Sequence, residues 1–341
     1  MRLILILTGL LAFQGAAASE FDELRNKAAA GDIDAQYKMG EIYGELAKPV
    51  IAYVNEVDIL SLGRPEVYSA PEESVRNAAE SSAWYLKAAE GGHLGSQYFL
   101  GTNGNAFWLL KAAKGGHADA QYEIGNNHLY GISIPQDQLL GAEWLGRAAD
   151  NGSSSASLSL GQMYYAGKHG LQRDLDAAVK YFTAAHRQGK PYASYMLGEF
   201  YEKGNQDDPV KSKFWYNIYA DILITKNISG ISGNIYYELA QKLNLIAKSQ
   251  ADYGKLLKLY EKAAENMVKG SFVNLGRMHE AGQGTERDLV KALMWYKIAS
   301  KRRSSEGRKY AQRLIKKLTN SDISKARSMA VKCRKSSYIG C

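Results

Sequence analysis

Residues 271–299 read SFVNLGRMHEAGQGTERDLVKALMWYKIA. The first half places an apolar residue before a glycine, Leu275-Gly276, and ends in the glycine-bearing break Ala281-Gly282-Gln283-Gly284. The second half starts at Asp288 and pairs an aromatic with an alanine four later, Trp295 and Ala299. Four residues is one helical turn, so the aromatic and the alanine share a face. A glycine inside a helix costs about 1 kcal/mol against alanine. That cost is tolerable where the missing side chain lets a second helix come close. Asp288 suits the start of that second helix, because its carboxylate accepts orphan backbone N–H groups. The segment therefore predicts two antiparallel helices, A and B, joined by a glycine loop.

The same pattern recurs along the chain. Glycines after an apolar residue stand at Gly40, Gly101, Gly125, Gly161, Gly198 and Gly276. The aromatic–alanine pairs are Trp84/Ala88, Trp108/Ala112, Trp144/Ala148, Tyr181/Ala185, Tyr260/Ala264 and Trp295/Ala299. From the aromatic to the next glycine is 17 residues at 84, 108, 144 and 181, and 16 from Tyr260 to Gly276. An aspartate precedes the aromatic by seven residues at Asp137, Asp174, Asp208 and Asp288. Asp208-Pro209 adds a proline at the first helical position, where its missing N–H costs nothing. A single pair cannot bury its apolar face, but stacked pairs can, so the fold class is all-α: a solenoid with one continuous core.

The residues that carry this pattern resemble the Sel1-like repeat family, relatives of the tetratricopeptide repeats. The likeness covers roughly residues 24–44 and 80–300, and its pattern AxxLGxxYxxG followed by DxxKAxxWYxxA is plainest at 271–299. YAQRLIKKLTNSDISKARSMAVKC, residues 310–333, resembles the closing helices of exported members. The resemblance implies helix pairs in a right-handed superhelix over residues 19–300, capping helices in 301–341, and a role in protein–protein contact. Some exported bacterial members resemble immunity proteins that neutralise secreted antibacterial effectors, phospholipases among them; others bind host proteins or act in the envelope.

Three stretches depart from the pattern. From Gly40 to Trp84 is 44 residues, which places an insertion at about 45–80. Gly101 to Trp108 is only seven, so that unit has lost its loop and part of helix A. Between Trp215 and Gly276 the motif decays, leaving a degenerate unit at about 220–250, although NIYYELAQKLNLIAK still spaces Leu239, Leu243 and Ile246 for one helix face.

The chain begins MRLILILTGLLAFQGAAAS: one arginine, an apolar run from Leu3 to Phe13, and small residues before Ser19. That is the arrangement of a secretory signal peptide, residues 1–18, cut between Ala18 and Ser19, with a buried N-terminal helix as the competing reading. The apolar run falls short of the roughly 20 residues that span a bilayer. The two cysteines, Cys333 and Cys341, both lie in the tail, and an oxidising compartment would let them close a ring of nine residues, worth about 2.5 kcal/mol and acting mostly on the tail. The expected location is the periplasm or, after secretion, the outside.

The 341 residues are 45% hydrophobic and 23% charged, with only 6 prolines, which excludes a disordered chain and a collagen-like fibre. Net charge is +8, but residues 301–335 hold thirteen Lys/Arg against Glu306 and Asp322, so this segment carries +11 and the remainder −3. Ala311, Leu314, Ile315 and Leu318 recur there at helical spacing, so one side of the segment belongs to the core and the basic side is a solvated face. Contact of that face with an anionic membrane surface is a rival reading; nucleic acid is not an expected partner of an exported chain.

No constellation for chemistry stands out. His93 and His117 share one repeat position and read as structural, while His279-Glu280 lacks the second histidine of a zinc-protease helix. No nucleophile elbow, S-x-x-K pattern or phosphate loop occurs, and Ser153–Ser157 reads as loop and cap. The expectation is no catalytic residue, no metal and no cofactor. A surface remains. The positions three before and one after the repeat glycine lie beside the packing stripe: Tyr122/Asn126, Leu158/Gln162, Tyr195/Glu199 and Val273/Arg277. Of these, Tyr122, Asn126, Gln162, Tyr195, Glu199 and Arg277 are the candidate partner-binding residues, since aromatic and polar groups side by side suit protein recognition. The tyrosines serve equally well as intra-repeat core. The reading that follows is an exported protein-binding scaffold, in its sharpest form an immunity protein that covers the active site of a secreted effector. The alternatives are an envelope or host-interaction scaffold and a cell-wall or β-lactam hydrolase.

Overall fold

The computed structural model describes the backbone of residues 16–56, 72–203, 208–226, 228 and 230–341, and within these ranges the side chains of 19–48 and of 72 onward. The described residues form seventeen helices and no strand. They fall into two compact units, Met1–Gln188 and Gly189–Cys341. The first unit holds α1 (Ala16–Ala29) and four helix pairs: α2 (Ile33–Glu56) with α3 (Glu72–Glu90), α4 (Leu94–Thr102) with α5 (Ala106–Lys114), α6 (Ala118–Tyr130) with α7 (Gln138–Asp150), and α8 (Ser154–Ala166) with α9 (Leu175–Arg187). The second unit pairs α10 (Tyr192–Lys203) with α11 (Pro209–Thr225), α12 (Gly233–Asn244) with α13 (Gln250–Glu265), and α14 (Lys269–Ala281) with α15 (Leu289–Lys301). It closes with α16 (Ser305–Ile315) and α17 (Asn320–Lys335), both packed on α15. Within each unit the helix pairs stack as a solenoid.

The repeat glycines are pressed against helix B, as their spacing predicts. A Cβ added to Gly125 would lie 2.9 Å from Leu145, on Gly161 2.5 Å from Phe182, on Gly198 2.5 Å from Tyr216 and on Gly276 2.4 Å from Tyr296. The docked residue is thus one position after the aromatic that the spacing singles out. The singled-out aromatic flanks the contact, and a cation one turn on covers its ring: Lys87 over Trp84 at 4.4 Å, Lys111 over Trp108 at 4.7 Å and Arg147 over Trp144 at 4.7 Å. This register also resolves the offset of 16. Tyr260 is buried like Tyr85 and Tyr296 and takes the docked position, so Leu259, 17 residues before Gly276, is the counterpart of the flanking aromatics.

The stretch 220–250 is less degenerate than its motif. Leu239-Ala240 stands 20 residues before Tyr260, as Leu275-Gly276 stands with Gly276 20 before Tyr296, and both Leu239 and Ala240 are fully buried. Alanine has replaced the glycine, and α12/α13 is a complete pair. The helix ends at Asn244, so Ile246 lies beyond it. The insertion near 45–80 lengthens the hairpin: α2 and α3 run to 24 and 19 residues against 13 in α14 and in α15. Residues 57–71, like residues 1–15 of the expected signal peptide, lie outside the described residues, and the Ala18–Ser19 bond falls in the first turn of α1. The shortened unit has lost length in both helices, with nine residues each in α4 and α5.

The loops are fixed by side-chain caps. The carboxylates of Asp137, Asp174, Asp208 and Asp288 accept backbone N–H groups of the following turn at 2.9–3.1 Å. Nδ1 of His93 accepts from Ser96 N–H at 3.0 Å and Nδ1 of His117 from Ala120 N–H at 3.3 Å, so both histidines are helix caps, each beside a tyrosine ring. The end of α14 uses Gly282 at φ +71°, a left-handed position where a side chain would strain the backbone. The tail is stapled by the Cys333–Cys341 disulfide. It is more than an appendage: Tyr338 is buried, packs 5.0 Å from Phe272 and accepts a hydrogen bond from Arg302 at 2.8 Å. Ala311 and Leu314 are buried and Ile315 and Leu318 half-buried, so the apolar stripe of the basic segment faces the core.

Candidate functional site

Three A helices of the second unit, α10, α12 and α14, line one groove of about 570 Å³. Its residues include Tyr195, Glu199, Glu202 and Lys203 from α10, Glu238, Gln241 and Lys242 from α12, and Asn274 and Arg277 from α14, with Tyr260 of α13 behind them. Three of the six candidate binding residues, Tyr195, Glu199 and Arg277, therefore meet in one place.

Tyr195 serves both roles that its spacing allows. It is half-buried, stacked on Tyr192 at 5.5 Å and set against Tyr216 and Tyr219 at 5.6 and 5.8 Å. Burial, then the nearby Glu199 carboxylate, pushes its hydroxyl well above the usual phenol range, so it faces the groove as a neutral donor. Beside it Glu202 accepts from the Tyr216 hydroxyl at 2.8 Å and pairs with Lys242. Burial would raise the Glu202 carboxyl, but the bonds from Lys242 and Tyr216 outweigh it and the net shift is downward. This network joins α10, α11 and α12 at the groove. Arg277 is exposed and reaches Glu306 at 3.3 Å and the Tyr310 hydroxyl, its guanidinium 4.9 Å over the Tyr310 ring. Arg313 covers the same ring at 5.1 Å and holds Glu280 with both carboxylate oxygens at 2.6 Å.

The remaining candidates belong to the first unit. Tyr122 packs on the core cluster around Leu145 and Leu160, which is the intra-repeat role; Asn126 is half-buried and Gln162 exposed. Val273, at the position of Tyr195 in its own repeat, is buried. Spacing missed Glu202 and Lys203 of α10, Asn274 of α14 and the contribution of α12, including Glu238, Gln241 and Lys242. For α12, Leu239-Ala240 was the available signal, once alanine is accepted in the glycine's place.

The groove carries three carboxylates and three cations around an aromatic floor. Rings beside charges of both signs are groups that can stack on and pair with a polypeptide segment. Among the described residues no group of three or more His, Cys, Asp or Glu is placed to hold a metal ion. No helix among them is long and apolar enough to cross a membrane.

The fold is similar to that of a Sel1 repeat protein from Oxalobacter formigenes, with a TM-score of 0.51 and 20% identity over 87% of this chain and 91% of that one. A protective antigen of uropathogenic Escherichia coli with an SLR fold matches at TM-score 0.43 and 21% identity, over 93% of this chain and 88% of that one. An immunity protein from Pseudomonas aeruginosa matches at TM-score 0.35 and 19% identity, over 60% of this chain and 82% of that one. The sequence pattern of the Sel1 repeat matches at residues 33–51, 74–93, 106–117, 118–153, 154–190, 191–221, 248–266 and 273–304. These segments make up more than half of the sequence and fall on helices described above; they omit α12, whose glycine is alanine, and also α4, which keeps Gly101. The chain belongs to the Sel1 repeat family, whose stacked helix pairs form scaffolds for protein–protein contact.

Proposed function

We propose that this scaffold is an exported inhibitor, an immunity protein in kind, that uses the α10–α12–α14 groove to grip a secreted effector and cover its active site. The observation that carries the reading is the convergence of three successive A helices on one groove with an aromatic floor and balanced charge. A preformed groove loses little conformational entropy on binding, and its opposed charges set the register of the segment it takes. Export is supported by the apolar start before Ala18 and Ser19 and by the disulfide, which an oxidising compartment maintains. Inhibition follows from sterics: a scaffold seated on the rim of an active site excludes substrate without supplying chemistry.

The test uses exposed groove residues whose exchange leaves the core intact. Purified protein at micromolar concentration is offered to periplasmic and secreted fractions, beside a Glu238→Arg/Arg277→Glu variant. The expected result is a stoichiometric complex with a partner whose activity falls as the complex forms, and at least tenfold weaker capture by the variant. Recovery of no partner, or equal capture by the variant, overturns the assignment of the groove. In this reading the chain turns nothing over; hydrolysis of peptidoglycan or of a chromogenic β-lactam by the pure protein would replace it with the enzyme reading.

A further inference from the structure

A second cleft, of about 520 Å³, opens where α15, α16 and α17 meet. Its floor is aliphatic, formed by Ile298, Ala311, Ile315 and Ala330, with the more exposed Val331 at its edge. Its rim carries Lys297, Lys301, Arg308, Arg327 and Arg334, and no carboxylate lines it. Among the described residues none of these five cations makes an ion pair, and Nε of Arg334 is buried without a hydrogen-bond partner. The cost of this arrangement shows at Lys297, whose ammonium is destabilised by burial and then by the charge of Arg327. Like charges collected around an apolar floor repel one another, and an anion bound among them removes that repulsion.

We propose that this cleft is a binding site for a single-chain lipid with a phosphate head, its alkyl chain on the aliphatic floor and its phosphate among the cations. The volume lies within the roughly 300–1,000 Å³ of small-molecule sites. Three of the five cations are arginines, whose planar forks match phosphate oxygens in pairs. Five cations without an acid fit a dianionic phosphate better than a single carboxylate. A peptide fits poorly, because the cations only donate and Ser300 and Gln312 are the only uncharged polar side chains in the lining, so backbone N–H groups would meet few acceptors. An alkyl chain brings no such demand. The walls are held in place by the Cys333–Cys341 staple and by the Arg302–Tyr338 bond. This site lies apart from the groove of the preceding proposal and stands without it.

Titration calorimetry on the purified protein, with 1-myristoyl lysophosphatidic acid below its micelle concentration, tests the assignment. Monomyristoylglycerol supplies the same chain without phosphate, and glycerol 3-phosphate supplies the head without the chain. The expected result is one saturable site for the lysophosphatidic acid and at least tenfold weaker binding of both controls. Two further methylenes in the chain should tighten binding by about tenfold. Lys297→Gln/Arg327→Gln and, separately, Val331→Glu should each weaken binding at least tenfold with a melting temperature no lower than the parent's; Val331 is 46% exposed, so the glutamate enters the rim without entering the core. Absence of saturable binding overturns the proposal. So does equal binding of either control, or affinity for anionic vesicles with none for the monomeric lipid, which would make the cleft a membrane-facing patch.

Discussion

Gly161 and Gly146 lie on α8 and α7 of the same unit, and replacing each by alanine should move stability in opposite directions. Alanine is better than glycine in a helix by about 1 kcal/mol, and at Gly146 nothing lies within 4 Å of the added Cβ, so Gly146→Ala should keep that gain. At Gly161 the Cβ would meet Phe182 at 2.5 Å from Cδ1, 2.6 Å from Cε1 and 3.1 Å from Cγ. Carbon atoms rest at about 3.5–4.0 Å, so the ring would have to retreat by about 1 Å. Phe182 is fully buried, and it can move only by shifting α9. Overpacking of this kind costs about 1–3 kcal/mol, which offsets the helix gain and exceeds it by about 1 kcal/mol in mid-range. At about 2–4 °C per kcal/mol for units of this size, Gly146→Ala should melt about 3 °C higher and Gly161→Ala about 3 °C lower. Thermal melts followed by circular dichroism, checked by urea unfolding, measure both. Adding Phe182→Leu to Gly161→Ala should cost less than the two changes taken separately, because the smaller side chain relieves the clash. If Gly161→Ala is as stable as the parent protein, or if the double variant is simply additive, glycine is not there to admit the ring and the account of the repeat fails.

Two further outcomes follow from the second unit. His279 is buried, and burial, then the charge of Lys291, holds it down to about 4. An unfolded histidine titrates near 6.5 and so takes up its proton first; stability should fall as pH drops from about 6.5 to 4, by about 3 kcal/mol at most. Urea titrations at pH 7.5, 5.5 and 4 should show that slope in the parent and a flatter one in His279→Gln; equal slopes would refute the assignment. Removing the staple in Cys333→Ser/Cys341→Ser should cost about 2.5 kcal/mol by the entropy of a nine-residue ring. Because Tyr338 packs on Phe272, hydrogen exchange should quicken in α14 and α15 as well as in the tail, and a change confined to residues 336–341 would show that the tail does not support the core.

Much of the architecture is legible in sequence because its causes are local and repeat. An aspartate caps the helix that follows it, a glycine breaks the helix that precedes it, and an aromatic one turn from an alanine defines a face; none of these needs a distant partner. Repetition then makes weak signals add up, which is why the pairs at 118–190 and 273–304 could be read directly. The sequence is least legible where one residue stands in for another with the same steric meaning. Alanine for glycine at Ala240 obscures the repeat position of α12, although Leu239 and Leu243 still mark its apolar face, and with that position the groove residues Glu238, Gln241 and Lys242. Two adjacent bulky residues on helix B, such as Trp295-Tyr296, left open which one docks, since both are aromatic and only the rotation of one helix against the other selects Tyr296. A substitution across helices was equally invisible: in three units a glutamine four before the glycine, Gln36, Gln97 or Gln121, donates to a carbonyl of the preceding helix, and where Ser157 replaces it, Gln188 supplies the donor to Ala149.

What the sequence alone determined is the unit: two helices, their caps, their loop and the glycine that lets them touch, all set by interactions within about forty residues. What only the tertiary structure decided is where different units bring their side chains. Tyr195, Lys242 and Arg277 come from three repeats, and Lys297, Arg308 and Arg334 from the last three helices; each group meets at a groove or cleft because stacking fixes the angle between neighbouring pairs. That angle depends on the packing of every interface between them, and no spacing within one repeat encodes it.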